Sequence, residues 1–229
     1  MEPGEYSRDY YEGNDQDDDR IALWHYERLA RRLAEPGSRV LDYGAGTGWL
    51  ARRLSKHFIT DAFEPSAHAQ DAITLNAPHA RLQTRSSDIA SETYDLVTSL
   101  HVLEHVPQPS EALSEIHRLL RRNGRAFCVV PNPDGWGHRL KGNAWFAYTD
   151  PTHVSLLSRE EWVRTFERAR LSIDRLSTDG LWDFPYSRHI PKALEMCTLG
   201  AFAGLQLLLG RALFPADWGE CLLVFASKS

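Results

Sequence analysis

Apolar and polar positions follow two rhythms along this chain, and the rhythms trade places at short intervals. Residues 21–33 carry Leu23, Tyr26, Leu29, Ala30 and Leu33 on one stripe, the spacing of an amphipathic helix. Asp17, Asp18 and Asp19 place negative charge at its start, where the helix dipole favours it. Pro36-Gly37 then breaks the chain. From there, short apolar runs at Arg39–Tyr43, Phe58–Phe63, Ala80–Thr84, Tyr94–Leu100 and Ala126–Val130 read as strands. Helical patterns fall between them at Trp49–His57, Ala67–Leu75 and Ser110–Arg121. Strands separated by helices imply right-handed crossovers and a mostly parallel α/β sheet.

The rhythm stops over residues 131–157, which hold Pro131, Pro133, Pro151 and a concentration of aromatic side chains. A loop of this length inside a domain is usually functional or poorly ordered. Regularity returns at Ser158-Arg-Glu-Glu, where Ser158 caps a helix and Glu161 completes a capping box. Leu171–Leu176 and Glu220–Ala226 read as the last two strands. The expected layout is a single domain over 1–229. It divides into an arm and helix (1–35), a core (36–131), an acceptor-side loop (132–157) and a C-terminal part (158–229).

Two segments sit oddly in that layout. Residues 1–19 are acidic and polar, which favours a solvated, partly ordered arm, though Tyr6, Tyr10 and Tyr11 suggest one that folds over something. The helical insertion 190–213 is unusually apolar, with Leu194, Phe202, Leu205 and Leu209 on one face. That face is expected to pack on the core, or to line an apolar pocket as a cap. Membrane contact is the less favoured reading, because only Lys192 and Arg211 flank the segment.

Composition narrows the function. With 31 acidic against 26 basic side chains the formal charge is −5, and no Lys/Arg run exceeds a pair. A general nucleic-acid binder needs a basic face, so that class is set aside. Cys128, Cys197 and Cys221 are scattered and odd in number, which suits a reducing cytoplasm rather than a disulfide framework. The opening residues show no basic end followed by an apolar run, and the apolar stretch Met196–Gly210 falls short of the ~20 residues of a membrane span. A cytoplasmic location is expected.

The most informative stretch is Val40-Leu41-Asp42-Tyr43-Gly44-Ala45-Gly46-Thr47-Gly48-Trp49. A buried strand runs through three alternating glycines straight into a helix. Glycines permit the tight turn and let a ligand approach the backbone. A dinucleotide fingerprint would need its third glycine where Trp49 stands, so an NAD-dependent oxidoreductase is disfavoured. Asp42 would oppose a pyrophosphate but suits a ligand carrying an amine and a sulfonium. The second strand ends at Glu64, an acid able to accept both hydroxyls of a ribose. Asp88, past the third strand, could meet an adenine amino group.

Asp42-Tyr-Gly-Ala-Gly-Thr-Gly, Glu64, Tyr94-Asp95-Leu-Val, Leu103-Glu-His-Val-Pro and Asn123-Gly124 stand in an order and spacing that resembles the class I S-adenosylmethionine-dependent methyltransferases. The closest likeness is to the small-molecule and lipid-quinone branch. It covers residues 36–132 strongly and 150–229 loosely, through Asp150-Pro-Thr-His-Val and the last strand. The resemblance implies a Rossmann-like, doubly wound sheet of seven strands, mostly parallel with the last antiparallel. S-adenosyl-L-methionine is the implied cofactor. Gly44, Ala45, Gly46 and Gly48 would hold its methionine part, Glu64 its ribose, Asp88-Ile89 would flank adenine, and Leu100 would touch it from the end of the fourth strand. The stretch from Asp88 to Tyr94 is shorter than the family's.

Methyl transfer from a sulfonium needs alignment and exclusion of water more than covalent machinery. A base helps when the acceptor carries a proton, and His153 in the loop, then His101 after the fourth strand, are the candidates. His105 reads equally as a structural hydrogen bond. No His and carboxylate pair shows metal-ligand spacing, so no metal site is expected. The acceptor is read as a small molecule of sugar, quinone or secondary-metabolite type, methylated on oxygen or nitrogen. The rival is a non-catalytic cofactor-binding or interaction protein on the same fold.

Overall fold

Arg39–Tyr43 has apolar side chains on both sides of its pleat, and it becomes the central strand β1 of the computed structural model, which describes residues 19–229. The Tyr6–Tyr11 arm lies outside the described residues. Around β1 the chain lays down β2 (Ile59–Phe63), β3 (Arg81–Gln83), β4 (Tyr94–Leu100), β5 (Leu120–Pro131), β6 (Ser172–Thr178) and β7 (Cys221–Ser227). Their order across the sheet is β3-β2-β1-β4-β5-β7-β6. The first five pair in parallel, and β7 runs antiparallel between β5 and β6. This is the doubly wound, seven-stranded sheet that the resemblance implied.

Helices cover both faces. They are α1 (Ile21–Ala30), α2 (Trp49–Leu54), α3 (Ala67–Asn76), α4 (Pro109–Leu119), α5 (Trp136–Lys141), α6 (Phe146–Thr149), α7 (Arg159–Arg168) and α8 (Lys192–Leu209). Alternate residues of β5 divide between the two layers. Phe127 and Val129 pack with Tyr26, Leu29, Leu50 and Leu54 of α1 and α2. Ala126, Cys128 and Val130 pack with Leu113, Ile116, Trp162 and Phe166 of α4 and α7. The capping box of α7 is present: Ser158 Oγ accepts from the Glu161 N–H, and the Glu161 side chain accepts from the Ser158 N–H.

Three expectations change. The strand expected at Ala126–Val130 begins at Leu120, because Asn123, at φ 62°, makes a bulge rather than an end. The 132–157 loop holds the short helices α5 and α6. Helix α8 is turned the other way from the expected packing. Its buried residues are Glu195 and Gln206, whereas Leu194, Phe202, Leu205 and Leu209 lie on the exposed side. The physical reason is local: the Glu195 carboxylate accepts from the N–H groups of Tyr186 and Ser187. The Gln206 amide bonds Thr178, Leu213 and Phe214 backbone. Backbone groups left unpaired by irregular loops thus decide which side of the helix faces inward.

Candidate functional site

β1 ends at Tyr43 and the chain turns through three left-handed glycines before α2 begins. Gly44, Gly46 and Gly48 have φ of 77°, 54° and 89°, a region costly to any residue with a Cβ. Gly44 is doubly constrained, since a Cβ there would stand 2.4 Å from Val102 Cγ2. Gly44 and Ala45 both donate to the Phe63 carbonyl at 2.9 Å, which ties the turn to the end of β2. The turn therefore lies at the carboxyl edge of the parallel strands, where open α/β sheets bind ligands.

Two buried acids flank it. Glu64, 5% exposed, accepts the Gly46 N–H on Oε2 and the Ser66 N–H on Oε1, each at 2.9 Å. Each oxygen keeps a second lone pair, the capacity a ribose diol needs. Burial pushes the Glu64 carboxyl up, and its two backbone bonds oppose the shift. Asp42, 2% exposed, accepts from Thr98 Oγ1 at 2.9 Å on Oδ1, while Oδ2 is buried without a partner. Burial raises the Asp42 carboxyl to about 7, a shift the Thr98 bond opposes. An orphaned buried acid oxygen beside the glycine turn fits a cationic ligand that lies against the backbone. The site thus matches the amine and sulfonium of S-adenosylmethionine.

Beyond β4 the chain carries a second group of polar residues. His101 takes a left-handed φ of 55° directly after the strand, and its Nδ1 lies 3.2 Å from Glu104 Oε1. Glu104 is fully buried, and its Oε2 has no partner. Its backbone carbonyl accepts the N–H groups of Val154 and Ser155 at 3.0 and 2.9 Å. Those bonds stitch the 150–155 segment onto Leu103–His105, so the rings of His105 and His153 approach to 4.7 Å. The Nδ1 of His153 donates to the Ala147 carbonyl at 2.7 Å. Burial holds the His105 imidazole below its ordinary value, against the pull of Glu104, and His153 adds to the lowering. Glu104, His105 and His153 each offer one ligand atom, and these lie within 4.8 Å of one another. Spacing along the chain alone gives no sign that these two histidines and this carboxylate meet.

The family model described as a methyltransferase domain matches residues 15–176. The chain belongs to that methyltransferase family. Malonyl-[acyl-carrier protein] O-methyltransferase of Halalkalibacterium halodurans is 26% identical over 155 residues, 60% of this chain and 57% of that one. Ubiquinone biosynthesis O-methyltransferase of Aeromonas salmonicida is 29% identical over 156 residues, 62% of this chain and 66% of that one. The methyltransferase chain thus aligns with less than two thirds of either relative's length. Among solved structures, a TehB-like S-adenosylmethionine-dependent methyltransferase of Corynebacterium glutamicum superposes with a TM-score of 0.62 at 19% identity. That match covers 97% of this chain and all of that one. A second S-adenosylmethionine-dependent methyltransferase, from Archaeoglobus fulgidus, gives a TM-score of 0.64 at 17% identity over 96% of this chain and 99% of that one. These two likenesses speak for the fold.

Of the methyltransferase residues expected from sequence, Asp42, Gly44, Ala45, Gly46, Gly48 and Glu64 form one cluster at the sheet edge. Leu100 ends β4 beside it, partly buried against the α1–α2 layer. Ile89 is buried, while Asp88 is exposed and its carboxylate meets Ser87 Oγ at 3.3 Å. Arg118 pins that turn through the carbonyls of Ser86 and Ile89. His101 and His153 fall in one polar group with Glu104 and His105. Sequence reasoning missed the buried acids beneath it. Glu220 accepts from Trp145 Nε1 at 2.5 Å and from the Tyr186 hydroxyl. Asp179 accepts from Trp182 Nε1 at 2.7 Å and from the Cys221 N–H. These acids anchor the aromatic cover. The signal for Glu220 was its place at the first residue before an apolar strand, which alone is unremarkable. A cavity of about 690 Å³ opens at the opposite sheet edge among Arg125, Arg175 and Phe225, away from all this chemistry.

Proposed function

We propose that the protein transfers the methyl group of S-adenosylmethionine to an oxygen of a small acceptor. The observation that carries the reading is the glycine cradle, bounded by the orphaned Asp42 oxygen and the pre-oriented Glu64. When bound, the cofactor supplies a methyl group already activated on a cationic sulfur. The protein's part is to hold, align and keep dry. Gly44 to Gly48 admit the ligand against the backbone, Asp42 offers it a counter-charge, and Glu64 receives the ribose. The names of the two relatives, both O-methyltransferases, support oxygen as the acceptor atom.

His101 is the better general base of the two candidates. A carboxylate accepts only, so Nδ1–H of His101 donates to Glu104 and leaves Nε2 to take the acceptor's proton. His153 is held by its own Nδ1 bond to Ala147 and serves the architecture of the cover. The aromatic group of Trp145, Phe146 and Trp182 walls the same side and excludes water. The test is incubation with methyl-labelled cofactor and a panel of hydroxylated aromatics, hydroxy acids and sugars. Labelled product with stoichiometric S-adenosylhomocysteine supports the reading. Tight cofactor binding with no transfer to any hydroxylated acceptor favours a non-catalytic binding protein instead.

A further inference from the structure

Helix α8 turns an apolar side outward. From Ala193 to Leu209 the only charged residue is Glu195, and it is buried. Glu195 and Gln206, toward the two ends, tie the inward side to backbone amides of Tyr186, Ser187, Leu213 and Phe214. Leu194, Phe202, Leu205, Leu208 and Leu209 are exposed on the other side. The helix is long and apolar enough to cross a bilayer, yet those anchors hold it flat against the protein. Two exposed tryptophans border it. Trp218 meets Phe202 edge-on at 6.4 Å, and Trp24 lies under Arg28, which donates to the Leu207 carbonyl. A polar side held by protein, an apolar side facing out and aromatic rings at the border are the arrangement of a helix lying in a membrane interface.

The fold also gathers charge that the linear sequence keeps apart. Arg211 follows the helix, and near it Arg28 donates to the Leu207 carbonyl, Arg32 to the Gly210 carbonyl and Arg175 to the Ala212 carbonyl. The cavity adjoining this end is lined by Arg32, Arg125, Arg175 and Arg211, with Asp174 the one acid among the described lining residues. Lys228, also there, pairs with Glu92. A helix C-terminus carries only about half a negative charge, so its carbonyls do not balance these arginines. In a chain of formal charge −5 this is a local reversal of sign beside an apolar helix. Arg188 and Lys192 are exposed at the other end. We propose that α8 and its basic rim dock the protein on an anionic lipid bilayer, the helix lying in the plane of the headgroups. A second copy is the poorer occupant. Whether the two helices ran parallel or antiparallel, the arginine cluster would face arginine or lysine. The docking surface does not depend on the methyltransferase reading.

The test is vesicle flotation of the full chain at low and at raised salt. One vesicle is pure phosphatidylcholine, the other equimolar phosphatidylcholine and phosphatidylglycerol. Wild type should float with the mixed vesicles, bind pure phosphatidylcholine about tenfold more weakly, and lose binding as salt rises. Leu208→Glu should weaken binding to the mixed vesicles by about tenfold with the fold intact, and Leu208→Gln takes its place should the glutamate variant fail to fold. Arg211→Glu should weaken it by about fivefold. Leu75→Glu, exposed on α3, should bind as wild type does. Folded wild type that floats with neither vesicle overturns the proposal, as does unchanged binding in folded Leu208→Glu or Leu208→Gln. Equal binding to both vesicles overturns the anionic requirement. A chain that ignores vesicles but forms a dimer in sedimentation equilibrium, dissociated by Leu208→Glu, assigns the face to a second copy and overturns the membrane.

Discussion

Gly46 donates its backbone N–H to Oε2 of Glu64 at 2.9 Å, so the acid that closes β2 also holds the turn that follows β1. Ligand recognition and turn geometry are therefore coupled through one carboxylate. Charge-assisted bonds of this kind contribute roughly 1.5–3 kcal/mol each. Glu64→Ala should weaken S-adenosylhomocysteine binding at least tenfold and also lower the melting temperature. Calorimetry and a thermal melt on one preparation check both, and a loss of affinity without any loss of stability would show that the brace to Gly46 is unimportant.

Gly44 meets two obstacles at once, a φ of 77° and Val102 Cγ2 only 2.4 Å from where a Cβ would be. Gly44→Ala should cost about 1–2 kcal/mol for the backbone and about 1–3 kcal/mol for overpacking. Adding Val102→Ala removes the clash but not the backbone strain. The double variant should recover part of the denaturant midpoint and never all of it. Full recovery would place the whole cost in the clash.

The pH dependence has a definite sign. Burial raises Asp42 to about 7, against its Thr98 bond and with a further push from Glu64. It also raises Glu220 to about 7, against its Tyr186 and Trp145 bonds. Raised carboxyls favour the folded state while protonated, and that contribution is lost as pH climbs through the folded value. The cofactor-free protein should become less stable as pH rises from about 4, the ordinary carboxyl range, to about 7 on this account. Asp42→Asn should flatten the decline. A cationic ligand beside Asp42 should draw it back to its charged form. Cofactor binding near neutral pH should then release protons, seen as a binding heat that varies with buffer ionisation enthalpy.

Helix α8 offers a reversed pair of expectations. Gln206 satisfies Thr178, Leu213 and Phe214 backbone from a fully buried position. Leu208 is 72% exposed. Gln206→Leu strands those backbone groups, at about 1–3 kcal/mol each. Leu208→Gln should change stability by no more than about 0.5 kcal/mol. Urea unfolding of the two variants decides it, and an equal loss in both would contradict the inverted packing.

The cofactor half of the site was legible because it is local. Asp42 to Gly48 and Glu64 sit at the ends of two adjacent apolar strands, and the continuous apolar runs plus the glycine pattern locate both ends. β1 and β4 begin and end where their apolar runs do. The acceptor half was not legible, because its geometry depends on long-range backbone bonds. Long-range bonds from Val154 and Ser155 to the Glu104 carbonyl, from Ser155 to the Val106 carbonyl and between Thr152 and His105 bring His153 to His105, 48 positions earlier in the chain. No spacing rule reports such a meeting. Helix α8 misled for a related reason: an apolar stripe normally marks the inward face. Here the polar Glu195 and Gln206 are drawn inward by unpaired loop amides.

The central claim is that the Gly44–Gly48 turn binds an amine- and sulfonium-bearing nucleoside rather than a dinucleotide. Calorimetric titration of the wild-type chain with S-adenosylhomocysteine and, separately, with NADH tests it most directly. Saturable binding of one S-adenosylhomocysteine per chain, with no heat from NADH, is the predicted result. Saturable NADH binding in a chain that ignores S-adenosylhomocysteine would contradict it.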